Sequence, residues 1–150
     1  MVGPFARASN VNNDVRCLGN GGYGDLSDFK PILDAQGDCY ARVKVRALEV
    51  LQSIDIIEEM ISKIPAGDIE VAVKGSPAAG AEAANVVEQP RGELFYYVRA
   101  NGTKMLERMR VRTPTFANIP ALLHMLPGCK LPDVPVIVLS IDPCISCTER

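Results

Sequence analysis

The sequence predicts an α+β fold: one long amphipathic helix of the kind found in a bundle, a β-hairpin with short strands, and long ordered loops. Three observations predict it. Apolar residues recur at helical spacing over residues 39–64, an Asn-Gly turn separates two alternating segments, and residues 1–38 are rich in Gly, Asn, Asp and Pro without a sustained apolar period. With 150 residues, 47% hydrophobic and 23% charged, the chain can bury one core and is too small for two, so residues 1–150 are read as a single domain.

Each element follows from local pattern. Residues 1–38 read as ordered loop, including the glycine cluster around Gly19, Gly21, Gly22 and Gly24. No strand precedes that cluster and no Lys-Ser/Thr follows it, which argues against a phosphate loop. A loop of this length is unusual in a self-contained domain, so it is expected to pack against something outside this chain. The first residues show neither a helix cap nor a leading strand, and the chain reads as beginning mid-protein.

In residues 39–64, Val43, Ala47, Val50, Ile54, Ile57, Ile61 and Ile64 recur at steps of four and three, with Leu51 widening the stripe. Arg42, Lys44, Arg46, Glu49, Asp55, Glu58, Glu59 and Lys63 fall between them and read as a solvated face. Asp38 is positioned as the N-cap, and Pro65-Ala66-Gly67 as the stop. Residues 69–73 are a short apolar stretch, and residues 75–90 read as an Ala/Gly/Pro-rich loop with one helical turn. Residues 93–100 and 104–112 flank Asn101-Gly102-Thr103, a hairpin signal, with Leu94, Tyr96, Val98, Met105, Glu107, Met109 and Val111 at alternating positions. A helix is expected over residues 116–125, stopped by Pro127-Gly128, and a last, buried strand over residues 134–141.

Composition narrows the function classes. Lys plus Arg total 16 and Asp plus Glu total 18, a net charge of -2 that gives no electrostatic case for nucleic acid or an anionic membrane surface. The longest aliphatic run, residues 136–139, is far short of the roughly 20 residues a spanning helix needs. Five cysteines without an apolar leader point to reduced thiols or metal ligands rather than disulfides, and to a cytoplasmic setting.

The chemistry concentrates at the end of the chain, in Asp142-Pro143-Cys144-Ile145-Ser146-Cys147. Two cysteines separated by two residues can put two thiolates on one metal, but a lone pair is half a site. By spacing alone a structural zinc half-site, a redox dithiol and two ordinary thiols all remain open. A redox dithiol usually opens a helix after a strand, which the Asp142-Pro143 approach does not promise.

Asp142-Pro143-Cys144-x-x-Cys147-x-x-Arg150 resembles the C-terminal signature of nickel-iron hydrogenase large subunits, in which His or Arg marks the maturation cleavage point. Glu88-Gln89-Pro90-Arg91-Gly92-Glu93 resembles that family's Pro-Arg-Gly segment, and Arg112-Thr113-Pro114-Thr115-Phe116-Ala117-Asn118 its later Pro-Thr segment. Upstream, Gly3-Pro4-x-x-Arg7-Ala8-Ser9 with Asp14 and Arg16, and Gly37-Asp38-Cys39-Tyr40-x-Arg42, resemble segments shared by energy-converting hydrogenases and the 49-kDa quinone-site subunit of respiratory complex I. Asn10 stands where Gly is usual. The terminal cysteine pair, which the complex I subunit lacks, favours the hydrogenase side.

The resemblance implies the C-terminal part of a hydrogenase large-subunit fold, with the other Cys-x-x-Cys in an N-terminal half missing from this chain. It implies reversible heterolytic activation of H2 or proton reduction, coupled to iron-sulfur electron transfer. The implied cofactor is a Ni-Fe centre whose iron carries CN and CO ligands, with Cys144 a terminal nickel ligand and Cys147 a bridging one. Arg91 would stand over the open metal position with Asp142 as its partner, while Pro90, Thr113 and Thr115 would line the pocket of the diatomic ligands. Implied partners are the N-terminal half of the large subunit, an iron-sulfur small subunit and the membrane arm of a ferredoxin-linked complex, which places the chain peripherally on the inner face of the cell membrane.

Ordinary accounts stand beside these. Without the motifs, Arg91 would be a surface ion-pair residue and Asp142 a cap or turn residue. His124, beside Leu122, Leu123 and Met125, reads as a packed or partly exposed helix residue, and Cys17, Cys39 and Cys129 as structural thiols. Two further functions compete with the hydrogenase: a metal-free quinone-site or structural subunit of the complex I type, and a small zinc-binding module.

Overall fold

The computed structural model describes residues 1–19, 23–24, 26 and 29–149. Part of the glycine cluster (Gly21, Gly22) and Arg150, which the resemblance reads as a cleavage point, lie outside the described residues. The elements in chain order are α1 (Pro4–Arg7), a 3-10 turn (Val15–Leu18), α2 (Cys39–Lys63), β1 (Glu82–Gln89), β2 (Gly92–Ala100), β3 (Leu106–Arg112), α3 (Pro114–Met125), α4 (Asp133–Ser140) and α5 (Ile145–Glu149). The strands form one antiparallel sheet in the order β1-β2-β3. This is the mixed α+β architecture the sequence predicts, with two elements reassigned.

The start of the N-terminal segment packs within this chain, while Val11, Leu18 and Leu33 further along remain exposed. Val2, Phe5, Ala6, Arg7 and Ala8 are all buried within this chain. Asn118 holds the entry by reciprocal bonds, its Oδ1 accepting from Val2 N at 2.9 Å and its Nδ2 donating to Val2 O at 3.2 Å. After α1 the backbone turns at Asn10, whose φ of 60° is left-handed. Asn is among the few non-glycine residues that tolerate this region, which accounts for the departure from Gly at that position.

Helix α2 begins as predicted, with Asp38 Oδ1 accepting from Ala41 N at 2.7 Å. Its 25 residues make a rod of about 37 Å. The buried face is the reverse of the expected one. Ala41, Arg42, Val45 and Glu49 are turned into the protein, while Val43, Val50, Leu51, Ile54, Ile57, Ile61 and Ile64 are exposed. Arg42 and Glu49 therefore are not solvated-face residues. They are buried because each meets a charged or polar partner inside the chain, whereas the isoleucine stripe stays largely uncovered among the described residues.

The hairpin falls where the Asn-Gly signal places it, with β3 starting two residues later than expected, at Leu106. Tyr96 stands opposite Val111 and Val98 opposite Met109, so the predicted alternation is the pairing register. Residues 82–89, expected as loop, are instead strand β1, paired with β2 from Glu82↔Arg99 to Gln89↔Gly92. The segment shows no apolar alternation because its side chains are mostly exposed. Pairing with β2 makes it a strand, not a buried face.

Residues 134–141, expected as a buried strand, form helix α4 instead. A short apolar run cannot distinguish the two by period. Pro135 decides against a strand interior and is tolerated in a first helical turn, where amide donors lack intrahelical partners. Val136 and Leu139 are exposed, so the run is not uniformly buried either. Helix α3 starts two residues earlier than expected, with Pro114 at its first turn. Phe5, Leu122 and Ile141 form the main core with α3 and α4, and Ala8, Ala41 and Val45 a second cluster under α2.

Candidate functional site

Three parts of the fold meet at the end of the chain. The β1–β2 hairpin carries Pro90 and Arg91 as a two-residue tip between the paired Gln89 and Gly92. The tip is seated on the N-terminal segment by two glycines that cross at contact distance. A Cβ on Gly92 (φ +127°) would lie 2.7 Å from Gly3 N, and one on Gly3 (φ +69°) would lie 2.4 Å from Arg91 O. Only glycine supplies both the positive φ and the missing side chain here.

From that tip Arg91 Nε donates to the Asp142 carbonyl at 2.9 Å, and Nη2 to Asp142 Oδ1 at 3.3 Å. Both side chains remain about a third exposed, so the pair owes its definition more to geometry than to strength. Asp142 itself sits at φ 53°, just after α4. The start of α3 holds the other side of the loop. Thr115, buried, accepts from Cys144 N at 3.2 Å, and Thr113 Oγ1 donates to the Cys147 carbonyl. The structure thus brings together Arg91, Asp142, Thr113, Thr115, Cys144 and Cys147. Pro90 stands beside them on the wall of a cleft shared with Asp142.

The two thiols are unequal. Cys144 is pulled down to about 7, chiefly by its contact with the Ser146 hydroxyl (3.1 Å), then by the Cys147 amide and thiol, with Arg91 adding a favourable charge. Burial pushes Cys147 up, and the neighbouring Cys144 adds to that. One thiol ready to ionise near neutral pH, beside a second that a metal would have to deprotonate, is a donor set suited to a soft divalent ion. Among the described residues no group of three or more His, Cys, Asp or Glu side chains converges. The thiols therefore offer two ligands, and a metal held here would need its others from outside the described residues. Cys144 directly precedes α5, so the pair opens a short helix, but it follows helix α4 rather than a strand and lacks the strand-to-helix setting usual for a redox dithiol. His124 lies exposed on α3, away from these residues.

Beside the site is a cleft of about 570 Å³ that opens on Asp142 and Pro90 and leaves both thiols outside its lining. One wall is a buried charge cluster. Arg7 donates to Glu49 and to Glu88 at 2.7 Å each, lies 3.2 Å from Asp14, and Asp14 in turn pairs with Arg16 at 2.7 Å. Burial pushes the Glu88 carboxyl up, against the pull of Arg7. Arg7 is also driven up, because its bonds to Glu49 and Glu88 outweigh the burial that opposes them. Sequence reasoning did not assign this cluster, nor Arg42 and Arg46. The signal available was three charged residues at i, i+4 and i+7 on one helix, Arg42, Arg46 and Glu49.

Comparison with known proteins shows the family. The family described as the 49 Kd subunit of respiratory-chain NADH dehydrogenase matches residues 1–78 and 71–150. The carbon monoxide-induced hydrogenase of Rhodospirillum rubrum is 43% identical over 150 residues, covering 100% of this chain and 41% of that protein. The membrane-bound hydrogenase subunit alpha of Pyrococcus furiosus is 36% identical over 165 residues, covering 99% of this chain and 38% of that protein. A chain of the membrane-bound sulfane sulfur reductase, an archaeal respiratory membrane complex, superposes with a TM-score of 0.87 at 31% identity, covering 100% of this chain and 42% of that one. The chain belongs to the family of complex I 49 kDa subunits and nickel-iron hydrogenase large subunits. It spans about two fifths of the length of these relatives. Among the described residues no helix is long and apolar enough to cross a membrane.

Proposed function

We propose that this chain is the C-terminal catalytic part of the large subunit of an energy-converting nickel-iron hydrogenase. The observation that carries the reading is the meeting of Cys144 and Cys147 with Arg91, Asp142 and Thr115 at one end of the fold. It is supported by 43% identity to a hydrogenase over the whole chain. Residues 1–150 then form one unit of a longer subunit whose N-terminal part supplies the other thiolates. An iron-sulfur subunit and a membrane arm complete the complex, which keeps this chain peripheral to the membrane on its cytoplasmic side.

Cys144 and Cys147 would hold nickel as part of a Ni-Fe centre whose iron carries CN and CO. When bound, such a centre supplies the open position at which H2 is split heterolytically. The chain's own residues do the rest. Arg91 presents a fixed positive charge to the site, and its bonds to the Asp142 carbonyl and carboxylate hold that charge in one direction. Thr115 orients the loop through the Cys144 amide, and Thr113 through the Cys147 carbonyl. Pro90 and the two threonines line the pocket for the diatomic ligands.

Metal analysis of the assembled complex is the test. Nickel bound at one equivalent, and lost in Cys144→Ser, is the expected result, while H2/D2 exchange is expected to fall with metal retained in Arg91→Lys. A complex that assembles fully and contains no nickel would sink the hydrogenase reading. The second reading, a metal-free quinone-site or structural subunit, would then stand, and the family match to the 49 Kd subunit of NADH dehydrogenase favours it next.

A further inference from the structure

We infer that Arg46 is a positioning residue for this site, holding the turn that carries Asp142 from helix α2 while Arg91 holds it from the hairpin. Asp142 has φ 53°, a left-handed region that is uncommon for non-glycine residues though among the better tolerated for Asp, and several contacts fix it there. One set of restraints is the bond of Asp142 N to Leu139 O at 2.9 Å and the grip of Arg91 on the Asp142 carbonyl at 2.9 Å. The other comes from α2. Arg42 and Arg46, one turn apart on the same face, both reach Ser140: Arg42 Nη1 donates to Ser140 Oγ at 2.8 Å and Arg46 Nη1 to the Ser140 carbonyl at 2.6 Å.

The two arginines have different parts. Arg42 is buried, lies 4.6 Å over the Phe5 ring, and also donates to Gly37 O at 2.9 Å. Its Nη donors are engaged in the core, and its part is packing. Arg46 lines the cleft together with Asp142. Its Nε, like that of Arg42, is buried without a hydrogen-bond partner among the described residues, so what sets Arg46 apart is its bond to the Ser140 carbonyl and its place in the cleft. Burial pulls the Arg46 guanidinium below its usual value, and Asp142 is the largest influence opposing that fall. A charged donor on a carbonyl is a strong restraint, and α2 is a rigid base for it. The carboxylate of Asp142 accordingly works between two guanidinium groups, only one of which hydrogen-bonds to it directly.

The inference rests on the proposed function only for the purpose of the turn, not for its existence. Deuterium exchange on the assembled complex tests it, with Arg46→Ala and Arg46→Lys compared against the unsubstituted protein. In Arg46→Ala the amides of residues 141–147 are expected to exchange about tenfold faster, as loss of one charge-assisted bond implies, with the β-sheet unchanged. Arg46→Lys, which keeps a charge and a donor, is expected between the two, and H2/D2 exchange is expected to follow the same order with nickel content unchanged. Unaltered exchange in that segment, or acceleration spread equally over α2 and the sheet, would overturn the positioning role. If Arg46→Ala does not assemble, Arg46→Lys decides by the same criterion: acceleration confined to residues 141–147 supports the role, and anything else refutes it. Absence of nickel from the unsubstituted complex would remove the hydrogenase reading and leave the deuterium result to judge Arg46 alone.

Discussion

At the scale of single residues, the thiol of Cys144 carries the clearest measurable property. Its hydrogen-bonding to Ser146 and to the Cys147 amide stabilises the thiolate, so ionisation occurs at about 7 rather than near 9.0. A depressed thiol value means that nucleophilic reactivity rises as pH increases through about 7 and is already near its plateau by pH 8. In metal-free protein, the rate of Cys144 alkylation against pH should show this midpoint, and Ser146→Ala should move it upward. A midpoint near 9 in the unsubstituted protein would contradict the contact. Arg7 offers the corresponding test of stability. It is 1% exposed and holds Glu49 and Glu88, so Arg7→Met strands buried carboxylates. A loss of about 3–5 kcal/mol in denaturant unfolding is expected, the usual cost of removing one partner of a buried pair.

At the scale of elements, α2 combines two functions on two faces. Its N-terminal half turns Arg42, Val45, Arg46 and Glu49 toward α1, the α4 end and the charge cluster. The opposite stripe, with Ile54, Ile57 and Ile61 each about half exposed or more, contributes little to packing among the described residues. Ile54→Ser and Ile57→Ser should therefore change the stability of the chain alone by less than about 0.5 kcal/mol, the range of surface substitutions. The same changes should weaken assembly with the rest of the complex, read as a loss of co-purification, if the stripe packs in a larger bundle. A large destabilisation of the chain by itself would show that the stripe is covered from within. The hairpin shows the converse arrangement: a strand without an apolar face, β1, is held by backbone pairing and ends in the tip that delivers Arg91.

At the scale of the whole molecule, the chain offers two thiols and, among the described residues, no convergent third ligand. It also spans about two fifths of its relatives. The 150 residues by themselves are expected to form no nickel-iron centre and to show no H2/D2 exchange above background. Detectable exchange from the chain alone would refute the half-site reading. Mass action supports the direction: a centre whose ligands come from two parts binds only when both are held together, so metal content should track assembly.

What the sequence determined by itself were the features that local chemistry decides: the capped start of α2 at Asp38, the Asn101-Gly102 hairpin, and the spacing of Cys144 and Cys147. Each depends on residues within a turn or two of one another. Its resemblance motifs also marked Arg91, Thr115 and Asp142, although nothing local to any of them says that they meet. Only the tertiary structure decided which face of α2 is buried, that residues 82–89 are a strand and residues 133–140 a helix, and that Arg46 reaches Ser140. Those outcomes turn on partners 3 to 94 positions away in sequence, and on how much apolar surface the chain leaves uncovered. For the terminal cysteine pair, the sequence supplied the spacing. The structure supplied the unequal thiols, the two threonines that hold them and the arginines that hold the turn before them.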